Sequence, residues 1–269
     1  MIHLKKIILP KTEDTAFPFS VPALRKGLEL PFDAPITLFI GDNGCGKSTL
    51  LDLIAAKTGL FRITMQDETR RENDRLFQNA GKRIKAEFRL NKPSGFYFSA
   101  EDFTLYIQSL EREKAYAREE LSRVRDEYAG KSAFSRMMAS APFENTLSEI
   151  QGMYEKNLVA SSHGEAYLDF FSSRMRKGQL YLLDEPETPL SVQNQLTLLA
   201  LIDKGVAEDC QFIIATHSPI LMGIPEAILF EFAEGTLQKT DFSHVESIRL
   251  LREYLDDPNR FFHHLRQEE

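Results

Sequence analysis

Residues 36–54, ITLFIGDNGCGKSTLLDLI, constrain the fold more than any other stretch of the chain. The opening apolar run does not alternate, which predicts a strand covered on both faces in a parallel sheet. A glycine-rich turn follows at once, and KSTLLDLIAAKTG then predicts a helix closed by Gly59. From Gly41 to Ser48 the turn fits G-x-x-x-x-G-K-[ST]. Glycines there let successive N–H groups turn inward without Cβ collisions, and the helix N-terminus adds its positive end, so the segment is built to cradle phosphate. The expected contacts are Gly41, Asn43, Gly44, Cys45, Gly46, Lys47, Ser48 and Thr49. In this pattern Lys47 neutralises the β- and γ-phosphates and the Ser48 hydroxyl meets Mg²⁺.

A phosphate loop of this kind needs an acid at the end of a second buried strand. LYLLDE, residues 180–185, supplies one: Asp184 is placed to hold Mg²⁺ or its water, and Glu185 to polarise an attacking water. CQFIIATHSP (210–219) predicts a third parallel strand, with the helix SVQNQLTLLALIDKG between them, closed by Gly205. AILFEFAEGTLQKT predicts a hairpin turning at Glu234-Gly235. Two helices finish the chain, the first capped by Ser243 and the second opened by Pro258.

Between these segments the signals are weaker. Residues 2–9 and 84–90 predict strands, the latter with Lys85, Glu87 and Arg89 outward, and 62–83 are polar and loop-like. Apolar positions from Tyr106 to Tyr128 fall at helical spacing, and 130–157 predict loop and short helices. From Thr69 to Lys92 eight basic residues face three acidic ones; this is either a solvated face or a docking face for nucleic acid. The whole chain is acidic, with 40 Asp and Glu against 33 Lys and Arg, so it is not built throughout as a polyanion binder. Its two cysteines are too few for a disulfide framework or a thiolate zinc site. No apolar run approaches the ~18 residues of a membrane span, and the N-terminal stretch lacks a secretory pattern, which predicts a cytoplasmic protein.

Asp184-Glu185-Pro186 and Thr216-His217-Ser218 resemble the Walker B and switch-histidine segments of ABC-class ATPases. The likeness is greatest to the heads of chromosome-maintenance and recombination-repair ATPases, and to small stand-alone ATPases that have only the head. It is carried by FPFSVPALR, GDNGCGKSTLL, GFYFSAEDF, SSHGEAYLDFF, LYLLDEPETPLS, FIIATHSPIL and YLDDPNRFFHHL, in that order. The resemblance implies an α/β fold of P-loop ABC-ATPase type, with a mostly parallel sheet, an antiparallel β portion and an inserted helical subdomain. A single domain spans 1–269, with a nucleotide-binding core from 1–95 and 176–269 and the insert at 96–175. It also implies that Ser162 and Gly164, in SSHGE, form the signature segment that meets the γ-phosphate held by another copy. Glu101 takes the Q-loop position near the metal, where the family has Gln, and His217 senses the γ-phosphate. Ser191 stands where many transporter-type ATPases carry an aspartate.

The expected activity is ATP hydrolysis, with ATP and Mg²⁺ bound by an ATP-dependent homodimer acting as a switch or clamp. The catalytic residues are Lys47, Glu185 and His217; the metal is held by Ser48, Asp184 and Glu101. A second reading is an ATP-sensing scaffold that recruits an effector protein with little turnover. GTP fits less well, because NKPS (91–94) lacks the aspartate that would read guanine. For adenine, Phe17 and Phe19 are candidates for stacking or for plain packing.

Overall fold

The computed structural model describes residues 1–63, 68–153 and 163–265. The elements, in order, are β1 (Leu4–Leu9), α1 (Pro22–Arg25), β2 (Leu28–Pro31), β3 (Ile36–Gly41), α2 (Lys47–Thr58), β4 (Phe61–Ile63), α3 (Glu68–Gly81), β5 (Lys85–Phe88) and β6 (Gly95–Ser99). There follow α4 (Ala100–Glu127), α5 (Ala133–Met153), α6 (His163–Arg174), β7 (Leu180–Asp184), α7 (Val192–Ala207), β8 (Gln211–Ala215) and α8 (Pro219–Met222). The chain ends with β9 (Ile228–Ala233), β10 (Thr236–Thr240), α9 (Glu246–Asp256) and α10 (Pro258–Leu265).

The central sheet runs β10-β9-β3-β8-β7-β6-β4 and is parallel apart from the β9–β10 hairpin. Strands β3, β7 and β8 occupy its middle and are buried along their length up to the last residue of β3, which is why they carry no polar alternation. One face packs on α2 and on a small antiparallel sheet, β2-β1-β5, through Leu50, Leu53, Ile54, Leu4, Ile7 and Leu9. The other face is covered by α6 and α7. There Phe98 stacks between Tyr167, Phe170 and Phe171, at centroid distances of 4.7, 5.4 and 6.0 Å. Buried Gln211 pins the two sheets: its Oε1 accepts from His3 and Leu4 N–H, and its Nε2 donates to the Leu4 carbonyl.

Several local expectations need correction. The polar stretch 62–83 is not a loop: Phe61–Ile63 is the edge strand and Glu68–Gly81 a helix, anchored by Phe77 and Ala80 in the core. Two apolar residues sufficed because α2 already offered a surface, an effect of packing that polarity hides. Residues 133–153 form one helix despite Pro142, against the expected loop and short helices. It lies along α4, with Tyr116 edge-on to Phe143, and that contact offsets a proline inside the helix. Helix α7 runs two residues past Gly205, which sits inside the helix because a Cβ there would lie 2.6 Å from the Phe212 ring. Ser243 does not cap α9; Val245 holds that position. The hairpin turns at Glu234 and Gly235, both at positive φ, and Pro258 opens α10 with Asp257 Oδ1 accepting from Arg260 N–H.

Candidate functional site

Strand β3 delivers the glycine turn to the top edge of the sheet, and α2 leaves it. Gly46 occupies the N-cap of α2 at φ 113°, where a Cβ would strike Val21 Cγ1 at 2.5 Å; Gly44, at φ 75°, opens into free space. No side chain caps this helix, so its first N–H groups have no intrahelical acceptor and point into the turn. Lys47 is 4% exposed, and its Nζ donates to the carbonyls of Gly41 at 3.0 Å and Asp42 at 2.9 Å. It makes no ion pair among the described residues. A buried lysine whose partners are neutral, two carbonyls and the Cys45 sulfur, is suited to an anion.

Asp184 ends β7 within reach of the same turn. Ser48 Oγ donates to its Oδ1 at 3.0 Å, and the hydroxyl of fully buried Tyr97 donates to its Oδ2 at 3.1 Å. Burial pushes the Asp184 carboxyl up to about 6; the Ser48 and Tyr97 bonds oppose that shift, while the charges of Asp52 and Glu185 add to it. A carboxylate so placed gains from a cation. The Tyr97 ring in turn carries the Arg62 guanidinium, 4.4 Å from its centroid. Arg62 bonds Asp102 at the start of α4 through its Nε, at 2.7 Å, and also pairs with Asp52 of α2. Burial opposes the Arg62 charge, and Tyr97, Asp52 and Asp102 together raise its pKa above the ordinary value. This network joins the edge strand β4 to the phosphate loop and to α4. Sequence reasoning missed it because Arg62 stood in what looked like a polar loop.

Glu185 lies at φ 47°, a left-handed backbone that costs about 1–2 kcal/mol for a residue with a Cβ. Its N–H still completes the parallel ladder by donating to the Ala215 carbonyl at 2.9 Å. The chain then turns sharply, and Glu185 Oε1 stands 3.4 Å from His217 Nε2, which has no hydrogen-bond partner among the described residues. Glu101 is exposed on the first turn of α4 and shares a cavity of about 390 Å³ with Ser48, Ser99, Asp184, Glu185 and Thr188. The fold therefore brings together Lys47, Ser48, Asp184, Glu185, His217 and Glu101. Asn43 is exposed on the loop, Cys45 half-buried beside it, and Thr49 lies one residue into α2 from Ser48.

Ser162 lies outside the described residues. Gly164, in the first turn of α6, is buried against its own chain: a Cβ would lie 2.7 Å from Asn194 Nδ2 and 2.9 Å from the Pro189 carbonyl. Ser191 caps α7, its Oγ accepting from Asn194 N–H at 3.3 Å. Of the two aromatic candidates Phe19 is core, whereas Phe17 is exposed and stands edge-on to Phe77 at 5.5 Å. A larger cleft, of about 660 Å³, flanks the loop between Gly41–Cys45, the β9–β10 hairpin and α9, with Leu250 and Glu246 on its wall.

A buried strand, a glycine cradle, a buried lysine and a serine-bonded carboxylate define a P-loop nucleotide site on an α/β fold with a mostly parallel sheet. The chain belongs to the AAA domain family, whose model matches residues 19–161, more than half of its length. Similar solved structures include the Smc head domain of Pyrococcus furiosus, at 14% identity and TM-score 0.42, covering 94% of this chain and 99% of that one. The SMC head domain of Thermotoga maritima is also similar, at 14% identity and TM-score 0.37, covering 89% and 99%. An ATP-binding cassette of an ABC transporter in its ADP conformation shares 13% identity at TM-score 0.37, covering 96% and 99%. No curated protein matches the chain. Among the described residues no helix is long and apolar enough to cross a membrane.

Proposed function

We propose that the chain binds ATP with Mg²⁺ and hydrolyses it, as a head-to-tail dimer in which each nucleotide lies between two copies. The observation that carries this reading is the Ser48–Asp184 bond, formed across 136 residues beneath a loop whose buried Lys47 bonds two carbonyls and the Cys45 sulfur, and no carboxylate among the described residues. Lys47 suits an anion and Asp184 a cation, and a magnesium-bound triphosphate fits both. Ser48 and Asp184 would hold the ion, with Glu101 facing it across the shared cavity. Bound Mg²⁺ would neutralise charge on the phosphate oxygens.

The chain's own residues do the rest. Lys47 and the opening N–H groups of α2 orient the phosphates. Glu185 accepts the proton of the attacking water as its oxygen bonds the γ-phosphorus and the bond to the bridging oxygen breaks. His217, 3.4 Å from Glu185, senses the γ-phosphate. Ser162 and Gly164 of the other copy would complete the site, so turnover should rise faster than linearly with protein concentration. In this reading 1–95 and 176–269 hold the nucleotide, the insert 96–175 carries the signature segment, and the protein works in the cytoplasm.

A scaffold that binds ATP and recruits an effector protein is the second reading. It is favoured by Ser191, which caps α7 where the resemblance to transporter-type ATPases would place an aspartate, and by Glu101 at the Q-loop position. A nucleic-acid partner has less support: Arg83, central to the basic stretch, pairs with Asp14 at 3.0 Å and Thr12 at 2.6 Å and lies over the Phe19 ring. Phosphate release with ATP·Mg²⁺, followed across protein concentration for wild type and Lys47→Ala, tests the proposal. Release that vanishes in the variant supports it; equal release in both removes it.

A further inference from the structure

Glu187 lies two residues beyond Glu185, inside LYLLDEPETPLS, and has been given no role above. Its Oε1 accepts from the N–H of His217 at 2.6 Å and from that of Ser218 at 3.1 Å, across 30 residues of sequence. The grip is reinforced nearby: Ser218 Oγ donates to Gln195 Oε1 at 2.6 Å, and Gln195 Nε2 donates to the Leu190 carbonyl at 3.2 Å. One carboxylate oxygen thus clamps the loop after β8 to the loop after β7. A charged acceptor makes both bonds stronger than neutral ones.

The same loop bears on α6 from its other side. Gly164 meets the Pro189 carbonyl and Asn194 so closely that a Cβ has no room. Three residues further along α6, the Tyr167 hydroxyl is wholly buried, and burial, then the charges of Glu187 and Asp184, raise its pKa well above the usual value. Neither that hydroxyl nor Glu187 Oε2 has a hydrogen-bond partner among the described residues. Unpaired buried polar atoms cost free energy, and folding alone would favour an apolar or fully paired side chain here.

We propose that Glu187 is a positioning residue for hydrolysis: by holding the backbone of His217 and Ser218 it keeps the His217 ring beside Glu185. This rests on the ATPase reading above. Glu187→Ala removes the clamp, whereas Glu187→Gln keeps one acceptor oxygen. The Ala variant should lose about 10- to 100-fold in kcat, the scale of a small misplacement, while KM for ATP stays within about 2-fold. The Gln variant should stay within about 3-fold of wild type, and Glu187→Ala combined with His217→Ala should be no slower than His217→Ala alone. Independent multiplying losses, or Gln as damaging as Ala, overturn the proposal. A readout without turnover separates it from the ATPase reading. In ¹⁵N-labelled protein the His217 and Ser218 amide protons, bonded to a carboxylate, should resonate downfield, move fully upfield in Glu187→Ala and only part of the way in Glu187→Gln. Unmoved amides overturn the clamp whether or not the protein hydrolyses ATP; absent hydrolysis with the amide shift intact overturns the ATPase reading instead.

Discussion

Replacing Asp184 by Asn removes a charge that is buried with no ion-pair partner among the described residues, and should stabilise the nucleotide-free protein while ending its hydrolysis. The carboxyl moves from an ordinary 3.8 to about 6 in the fold, roughly two units, and each unit corresponds to about 1.36 kcal/mol, or about 3 kcal/mol in all. The folded state holds the Asp184 proton more tightly than the unfolded chain does. Stability is therefore highest below the unfolded value, falls as pH rises between about 4 and 6, and is flat above. Asn does not titrate, still accepts from Ser48, and lets the Tyr97 hydroxyl turn to accept from its amide. Urea unfolding of both proteins in EDTA, without nucleotide, measures the difference. The variant should be more stable by about 3 kcal/mol near pH 7.5, by roughly half that near pH 5, and by almost nothing near pH 4, because the other carboxylates titrate alike in both proteins. A variant less stable than wild type near pH 7.5, or a difference that does not shrink with falling pH, would refute the reasoning.

Lys47→Ala should lower ATP affinity by at least ~100-fold, the loss of a buried charge-assisted phosphate contact, with little loss of thermal stability, since its neutral partners on Gly41, Asp42 and Cys45 border a cleft that admits water; calorimetric titration and melting check both. In Ser48→Ala the Mg²⁺ enhancement of ATP affinity should fall while metal-free affinity stays the same, as read by titration with and without EDTA. Arg62→Ala should destabilise the protein by about 3 kcal/mol in urea, because Asp52 and Asp102 lose their shared cation. Reduced ATP turnover should accompany it, since Tyr97 loses the group that packs on its ring.

The central sheet and the phosphate loop were legible because their physics is local. A strand with no polar alternation, three glycines and a lysine at a helix start leave few other conformations, and Asp184 could be found at the end of the next such strand. What was missed depends on contacts between distant segments. The helix at 68–81 is amphipathic mainly through Phe77 and Ala80, and its polarity looks like a loop until α2 is beneath it. Pro142 marks a break in isolation, yet α5 continues through it along α4. Arg62 and Glu187 were given no role: one stands in a polar stretch, the other behind an acid pair, and only folding shows that Arg62 ties β4 to α2 and α4 and that Glu187 ties the loops after β7 and β8. The Glu185 backbone at positive φ could not be foreseen either, because nothing about glutamate favours it.

Light-scattering mass of wild type and Glu185→Gln, with and without ATP·Mg²⁺, tests the central claim most directly. A site completed by a second copy predicts that Glu185→Gln, which binds ATP but does not hydrolyse it, accumulates as a stable dimer only when ATP is present, while wild type returns to monomer as ATP is consumed. A Glu185→Gln protein that stays monomeric with saturating ATP, or is dimeric without it, would contradict the nucleotide-bridged dimer.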